Sequence, residues 1–416
     1  MKFKAQRGTH DVLPTQSGLW RHVESRFSEV AARYGYNEIR TPVFEDTELF
    51  KRTSGDTSEV VTKQMFQFTD KGGRDIALKA EGTAPVVRSY LEHHLGETGA
   101  VTKLWYCTPV FRHERPQFLR YRQHHQFGIE CIGSALPDAD VEVIELAIMF
   151  LRDLGLTHLK VQLNSIGRAE TRERYREVVL SHGASYLADL DDESQQRALK
   201  NPLRLLDSKD PKAVEVFQNV PSILDSLEDD SKAHFEMVQA GLTEAGIPFE
   251  LKPTIVRGLD YYSDTVFEIE SSDLGAQTAM CGGGRYDGLI GLLGGPPTPA
   301  VGFGMGIERL IHILESNAKV PEIKGLDVYV VAASSEFQPN ARALARKLRS
   351  EGIRTEVDLA SKSLKGQMKQ ADKSGAKYAA ILGADEIAAS TITLRTLSDS
   401  SQQSLTFDQL VNFLRS

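Results

Sequence analysis

Cysteine is scarce in this chain. Its only three, Cys107, Cys131 and Cys281, form no CxxC pair, and their odd number and wide spacing exclude a disulfide framework and a cysteine-based zinc site. Long apolar runs are missing too. No stretch approaches the roughly 20 residues needed to cross a bilayer, and the opening MKFKAQRGTHDVLPTQSGLW has no apolar segment that could serve as a secretory core. A cytoplasmic location and no membrane contact are therefore expected. Positive charge is also short: 49 Lys plus Arg face 57 Asp plus Glu, a net charge of −8, the opposite of a uniformly basic nucleic-acid binder. No GxSxG, GxxxxGK[ST] or strand-associated GxGxxG occurs, which disfavours the common hydrolase, phosphate-loop and dinucleotide designs.

What is present fits a soluble, enzyme-sized protein, and length and composition give no narrower class. At 416 residues the chain exceeds the length at which a single core stops growing, so two or three domains are expected. A composition of 41% hydrophobic and 25% charged residues is ordinary for a globular protein. The charge deficit is uneven. From Gly325 onward 12 Lys plus Arg meet 10 Asp plus Glu, leaving 37 against 47 upstream. Lys362, Lys365, Lys369, Lys373 and Lys377 follow steps of three and four, so they are expected along one side of a helix, either a basic contact surface or a solvated face.

Periodicity divides the chain further. Leu19, Val23, Phe27, Val30 and Ala31 predict a helix over 15–34, stopped by Gly35. In EIRTPVFED, Pro42 points to an edge or interface strand. Segments 101–112 and 124–132 predict a long hairpin around the arginine-rich HERPQFLRYRQ. Charged, helix-favouring sequence over about 170–246 reads as a helical insertion. Strands are expected at 254–270 and 276–281, a glycine-rich turn at 282–288, a loop at 294–299, and a strand-to-helix passage in AVGFGMGIERLIHIL. After 324, alternating strands and helices predict a separate α/β domain over 325–416, with an α+β domain over 1–324 before it.

Arginines and carboxylates beside glycine in strand-like sequence are the chemistry-bearing feature. FRHE (Phe111 to Glu114) continues through Arg115, Arg120 and Arg122 to Gln126 and Glu130. Strand-borne guanidiniums can grip a phosphate with paired N–H donors, or they can form a salt-bridged hairpin surface. RGLDYY at 257–262 is either a half-buried aromatic strand or a ligand wall, and GGGRYDGL at 282–289 is either a turn or a close backbone approach.

FRHE and the distant GFGMGIERL resemble motifs 2 and 3 of the class II aminoacyl-tRNA synthetases. HHQFGIE, RGLDYY and GGGRYDGL resemble the histidine-specific branch of that family, histidyl-tRNA synthetase, and the likeness runs from RGTHDVLP at 7–14 to the C-terminal domain. The resemblance implies an antiparallel-sheet catalytic domain with a helical insertion and a C-terminal anticodon-binding module. It implies ligation of histidine to tRNA(His) with ATP and Mg²⁺, and a homodimer formed through RTPVFED.

Residue by residue, the resemblance assigns Arg112 and Arg257 to the α-phosphate of ATP, Glu114 to the adenine, and Arg309 to the far phosphate and the base. Two guanidiniums on one phosphate suit an in-line displacement in which negative charge accumulates. Glu81, Thr83 and Gln126 are placed around the α-ammonium of histidine, and Glu130, Tyr261, Tyr262 and Tyr286 around the imidazole. Such a pocket should reject rivals by roughly 10⁴, because its buried polar groups would be left unpaired. Gln117 and Arg120 are candidates to approach the tRNA acceptor end. The chain departs from the family where His124 replaces the usual adenine-stacking aromatic, and where Lys79 and Ala80 precede Glu81 in place of Arg-Pro. A catalytically silent histidine sensor is the rival reading; such paralogues lack the anticodon module and lose the ATP-gripping arginines.

Overall fold

The structure, a computed structural model, describes residues 3–55, 58, 60–208, 210–255, 259, 261–271, 279–317, 320 and 325–415. The chain divides into two compact units, Met1–Pro321 and Glu322–Ser416.

The first unit opens with a helix, Pro14–Arg33, whose buried Leu19, Trp20, Val23, Phe27, Val30 and Ala31 recur at three- and four-residue steps and form one apolar stripe. Pro14 suits its first turn, and Gly35, at a φ of 80°, ends it. Short strands β1 (Asn37–Glu38), β2 (Phe44–Asp46), β3 (Gln67–Thr69) and β4 (Asp75–Leu78) follow, and β2, β4 and β3 make a small antiparallel sheet in that order. Pro42 falls between β1 and β2 and not within the edge or interface strand expected there, because a residue that cannot donate to a ladder interrupts it.

The long hairpin is β5 (Thr102–Phe111) and β6 (Gln123–Ile132), in register from Thr102 opposite Ile132 to Phe111 opposite Gln123. Strand β7 (Leu159–Ser165) leads into five helices between Ala169 and Glu244, the expected insertion. Strands β8 (Phe249–Leu251), β9 (Ser263–Ser271), β10 (Ala279–Arg285) and β11 (Ala300–Gly306) complete an eight-stranded sheet of order β1-β5-β6-β11-β10-β9-β7-β8. Only the two edge pairs, β1 with β5 and β7 with β8, are parallel.

Two expectations need correction. The strand expected at 254–270 is shorter, because Lys252–Ile255 closes a turn at Pro253; residues 256–258 and 260 lie outside the described residues. Gly282 to Arg285 belong to strand β10 and not to a turn, which starts only at Tyr286. Glycine marks close approach as well as turning: a methyl on Gly283 would collide with the carbonyl oxygen of Gly302 on β11.

Strand alternation decides what each face of the sheet carries. Phe127, Ile129 and Cys131 of β6 point into a core shared with the helices Pro14–Arg33, Pro137–Asp153 and Ile307–Ser316. There the ring of Phe27 stacks on Phe127 at 4.2 Å and meets Phe150 edge-on at 4.9 Å. The intervening Gln126, Gly128 and Glu130 are consigned to the opposite face.

The second unit holds β12 (Val328–Ala332), β13 (Thr355–Val357), β14 (Tyr378–Leu382), β15 (Ile392–Thr396) and β16 (Gln402–Leu405) in the order β13-β12-β14-β15-β16. The first three are parallel and the last two antiparallel, the mixed α/β sheet expected. The lysine run is only partly helical. The helix Leu364–Lys373 carries Lys365, Lys369 and Lys373, whereas Lys362 precedes its Ser363 cap and Lys377 follows Gly375, at a φ of 71°. All five are exposed. Among the described residues no helix is long and apolar enough to cross a membrane.

Phe27→Ala should lower the stability of the first unit by about 3–5 kcal/mol through the cavity it leaves. Urea unfolding followed by tryptophan fluorescence, with Trp20 and Trp105 in the same core, reads the loss directly.

Candidate active site

On the face of the sheet away from the helix-packed core, Glu130 has no exposed surface. Its Oε1 accepts a hydrogen bond from Tyr106 at 3.2 Å, and its Oε2 accepts one from Tyr286. Burial pushes its carboxyl up to about 8; the tyrosine hydroxyls and Thr83 pull it down, and neighbouring Glu81 pushes it further up. Gly302, directly opposite on β11, makes room, since a methyl there would collide with Glu130 Oε2.

Glu81 lies just before the helix Thr83–Glu92 and is buried. Its two oxygens accept the backbone N–H groups of Thr83 and Ala84, both at 2.7 Å, so the carboxylate sits where a helix start favours negative charge. Burial raises its pKa against those donors and Arg112. The preceding carbonyl, Ala80 O, accepts from Arg112 Nε at 2.8 Å, and among the described residues the terminal guanidinium nitrogens of Arg112 take no protein acceptor. Gln126 Oε1 is buried without a partner.

These groups surround a cavity of about 160 Å³, lined by Glu81, Thr83, Arg112, His124, Gln126, Leu259, Tyr261, Tyr262, Gly282, Gly304 and Gly306. A carboxylate and an orphaned amide oxygen near one guanidinium complement a zwitterion with its ammonium and carboxylate held apart. The Tyr261 and Tyr262 rings, 4.8 Å apart, make an aromatic wall.

A second cavity of about 210 Å³ shares Arg112, His124 and Gly306 with the first. Glu114, Arg120, Tyr121, Met280, Glu308 and Arg309 also line it. Arg309 donates to Ala279 O at 2.6 Å, and Glu114 ion-pairs with Arg120 at 3.0 Å. Burial, then the charges of Arg112, His125 and Arg309, pushes His124 down to about 3, so its ring stays neutral in a cavity that it shares with Arg112 and Arg309. Glu308 fixes the strand beneath by accepting both the backbone N–H of His125, at 2.9 Å, and a 3.0 Å contact from its ring.

The structure thus brings Glu81, Thr83, Arg112, His124, Gln126, Tyr261 and Tyr262 together, and joins Glu114, Arg120 and Arg309 to them through Arg112 and His124. Glu130 and Tyr286 line neither cavity; they lie buried behind the wall. Gln117 sits at the exposed tip of the hairpin loop, paired through its backbone with Arg120. Arg257 lies outside the described residues.

Several groups escaped sequence reasoning. Tyr106 lies across from Gly128 in WYCTP, and its alternation with buried Trp105 and its register with a glycine were the available signal. Arg285 is fully buried on β10, donating to Ser134 O at 2.9 Å and Leu136 O at 3.2 Å and ion-pairing with Asp140 and Asp287. This anchors the neighbouring Tyr286 toward Glu130. The segment before the first helix covers the hairpin loop: Arg122 N donates to Gly8 O at 2.7 Å, and His10 meets Tyr121 at 4.7 Å.

The family model described as histidyl-tRNA synthetase matches residues 8–310, and one described as anticodon binding domain matches residues 327–416. A Synechocystis sp. protein named histidine–tRNA ligase is 49% identical over 409 residues, 98% of this chain and 91% of its own. A protein of the same name from Rippkaea orientalis is 49% identical over 405 residues, 97% and 94%. The crystal structure of apo S. aureus histidyl-tRNA synthetase matches at a TM-score of 0.84 and 37% identity, covering 100% of both chains.

The burial of Glu130 predicts a pH dependence of folding. Its folded pKa lies above that of an exposed carboxyl, so its stabilising contribution is complete below pH ~4.5 and is lost as pH rises through about 8. Glu130→Gln should therefore gain on the wild type between pH 5 and 8, by at most about 1.4 kcal/mol per pH unit. Thermal melts of both proteins across that range check it, and parallel curves would contradict it.

Proposed function

Because the chain belongs to the histidyl-tRNA synthetase family, we propose that it activates histidine with ATP to histidyl-adenylate and transfers the histidyl group to the 3′ end of tRNA(His). The observation that carries this reading is the pair of cavities meeting at Arg112 and His124. The smaller takes histidine, with Glu81 and Gln126 on its ammonium and the imidazole against Tyr261 and Tyr262, in front of Glu130. The larger takes ATP, with Glu114 near the adenine, the neutral His124 ring as a stacking surface, and Arg309 on the far phosphate and base.

A carboxylate oxygen of histidine attacks the α-phosphorus, and the bond to the pyrophosphate oxygen breaks. Arg112, oriented by Ala80 O, stabilises the charge that gathers on the α-phosphate, and Arg257 is assigned to the same phosphate. Mg²⁺ would neutralise the outer phosphates and arrive on them. Among the described residues no cluster of three acidic, histidine or cysteine side chains could hold it, and Glu114, facing the larger cavity, is suited to a water-mediated contact.

The C-terminal unit would bind the anticodon region of the tRNA, and Gln117 and Arg120 at the hairpin loop would meet its acceptor end. A homodimer through the 40–46 segment is supported by exposed Val43, Phe44 and Phe68 on and beside the small sheet. The site of action would be the cytoplasm. The sensor reading is disfavoured by a C-terminal unit that matches an anticodon-binding domain and by ligases related over nearly the whole length.

ATP–pyrophosphate exchange tested with each of the twenty amino acids should be stimulated by histidine alone. Arg257→Ala should lower that exchange by at least about 10²-fold with histidine binding nearly intact, as when a transition-state donor is removed, and Arg112→Ala should lower it at least as far while also weakening histidine binding. Undiminished exchange in either variant would refute its role. Deleting 326–416 should spare exchange and weaken tRNA charging; full charging after the deletion would contradict the role given to that unit.

A further inference from the structure

Lys79 has no exposed surface, and its ammonium meets three oxygens, none of them a carboxylate. Its Nζ donates to Thr108 Oγ1 at 2.6 Å, Thr41 Oγ1 at 2.9 Å and Thr41 O at 3.2 Å. Burying an ammonium without a counter-ion in contact is costly, and a neutral apolar residue would fill the space more cheaply. The charge therefore calls for an explanation, and its surroundings supply one.

Lys79, Ala80 and Glu81 form a continuous strip at the head of the smaller cavity. The backbone of Lys79 is fixed on both sides: its N–H donates to Val43 O at 2.8 Å, and its carbonyl accepts Phe111 N at 2.8 Å, immediately before Arg112. Ala80 O then orients Arg112, and Glu81 faces the cavity. The ammonium thus ties together the segment after β1, strand β5 and the strip that sets both Arg112 and Glu81.

We propose that Lys79 is a positioning residue for the activation step: its ammonium, clamped between Thr41 and Thr108, holds the Ala80–Glu81 strip so that Arg112 and Glu81 address the two ends of one bound amino acid. This rests on reading the smaller cavity as the histidine pocket.

The clamp depends on the proton. An ammonium supplies three donors, enough for the three oxygens around it; the neutral amine keeps two donors and turns a lone pair toward an acceptor. Thr41 O can only accept, so the lone pair must accept a hydrogen bond from the Thr41 or Thr108 hydroxyl, and the clamp exchanges charge-assisted contacts for weaker neutral ones. The charged groups acting on Lys79 are Glu45, Glu81 and Arg88. Glu45 is itself paired with Arg88, Nε to Oε2 at 3.2 Å, and Glu81 is engaged by backbone N–H groups. Burial outweighs their pull and brings Lys79 down to about 8, so the proton leaves within reach of neutral pH, where an arginine would keep its charge.

The test is the pH profile of histidine-dependent ATP–pyrophosphate exchange from pH 6.5 to 9.5, in wild type, Lys79→Arg and Lys79→Met, with thermal melts of each. Wild-type kcat should fall on an alkaline limb near pH 8 with little change in KM for ATP. Lys79→Arg should keep neutral-pH kcat within a few-fold and move the limb above pH 9, and Lys79→Met should lose at least tenfold in kcat at every pH while melting near wild type. Glu130 also titrates near 8, but its effect falls on KM for histidine and should persist in Lys79→Arg. A limb unmoved in Lys79→Arg, or wild-type kcat in Lys79→Met, overturns the proposal. Should the methionine variant not fold, the arginine variant decides alone. Absence of any histidine-dependent exchange in wild type overturns the activation reading itself, whereas exchange with an unmoved limb overturns only the role of Lys79.

Discussion

A carboxyl group removed from water beneath a small polar cavity is the constraint around which the rest of this site is arranged. Glu130 can be buried on a sheet face only if its two oxygens are satisfied and no side chain competes for its space. Tyr106 and Tyr286 meet the first condition and the bare backbone of Gly302 the second. Tyr286 in turn depends on Arg285, whose guanidinium is bound on every side by Asp140, Asp287 and two backbone carbonyls. One buried acid thus dictates glycines on neighbouring strands and a buried ion pair 145 residues apart in sequence.

From that fixed point the charges are graded along the two cavities. Glu81 faces the smaller cavity with Glu130 buried behind it, Arg309 faces the larger, and Arg112 and the ring of His124 are shared by both. A zwitterion fits such a gradient in one orientation only. That orientation turns its carboxylate toward Arg112, where a phosphate can be attacked in line. On the proposed reading, the histidine in place of an aromatic plate offers a flat face without a competing charge, because burial and the nearby arginines keep its ring from protonating.

Much of this architecture was legible in the sequence. The helix Pro14–Arg33 announced itself by its apolar stripe, and the hairpin of β5 and β6 by two strand-like runs around a polar arginine-rich loop, because both signals are local. GGGR was misread since glycine serves turns and close strand packing alike, and only the partner strand tells which. FRHE, HHQFGIE and RGLDYY were assigned chemistry through family resemblance, as spacing alone left salt-bridged surfaces and half-buried strands equally open. What stayed hidden were pairings between distant segments, Arg285 with Asp140, Lys79 with Thr41, Gly8 with Arg122, which topology creates and no periodicity encodes.

The account stands most directly on where a bound adenylate lies. A crystal structure with a non-hydrolysable histidyl-adenylate analogue should put the imidazole against Tyr261 and Tyr262 in front of Glu130, the phosphate surrogate on Arg112, and the adenine beside Glu114, His124 and Arg309. An imidazole seated in the Glu114–Arg309 cavity, or one making no contact with Glu130 directly or through Tyr286, would contradict it.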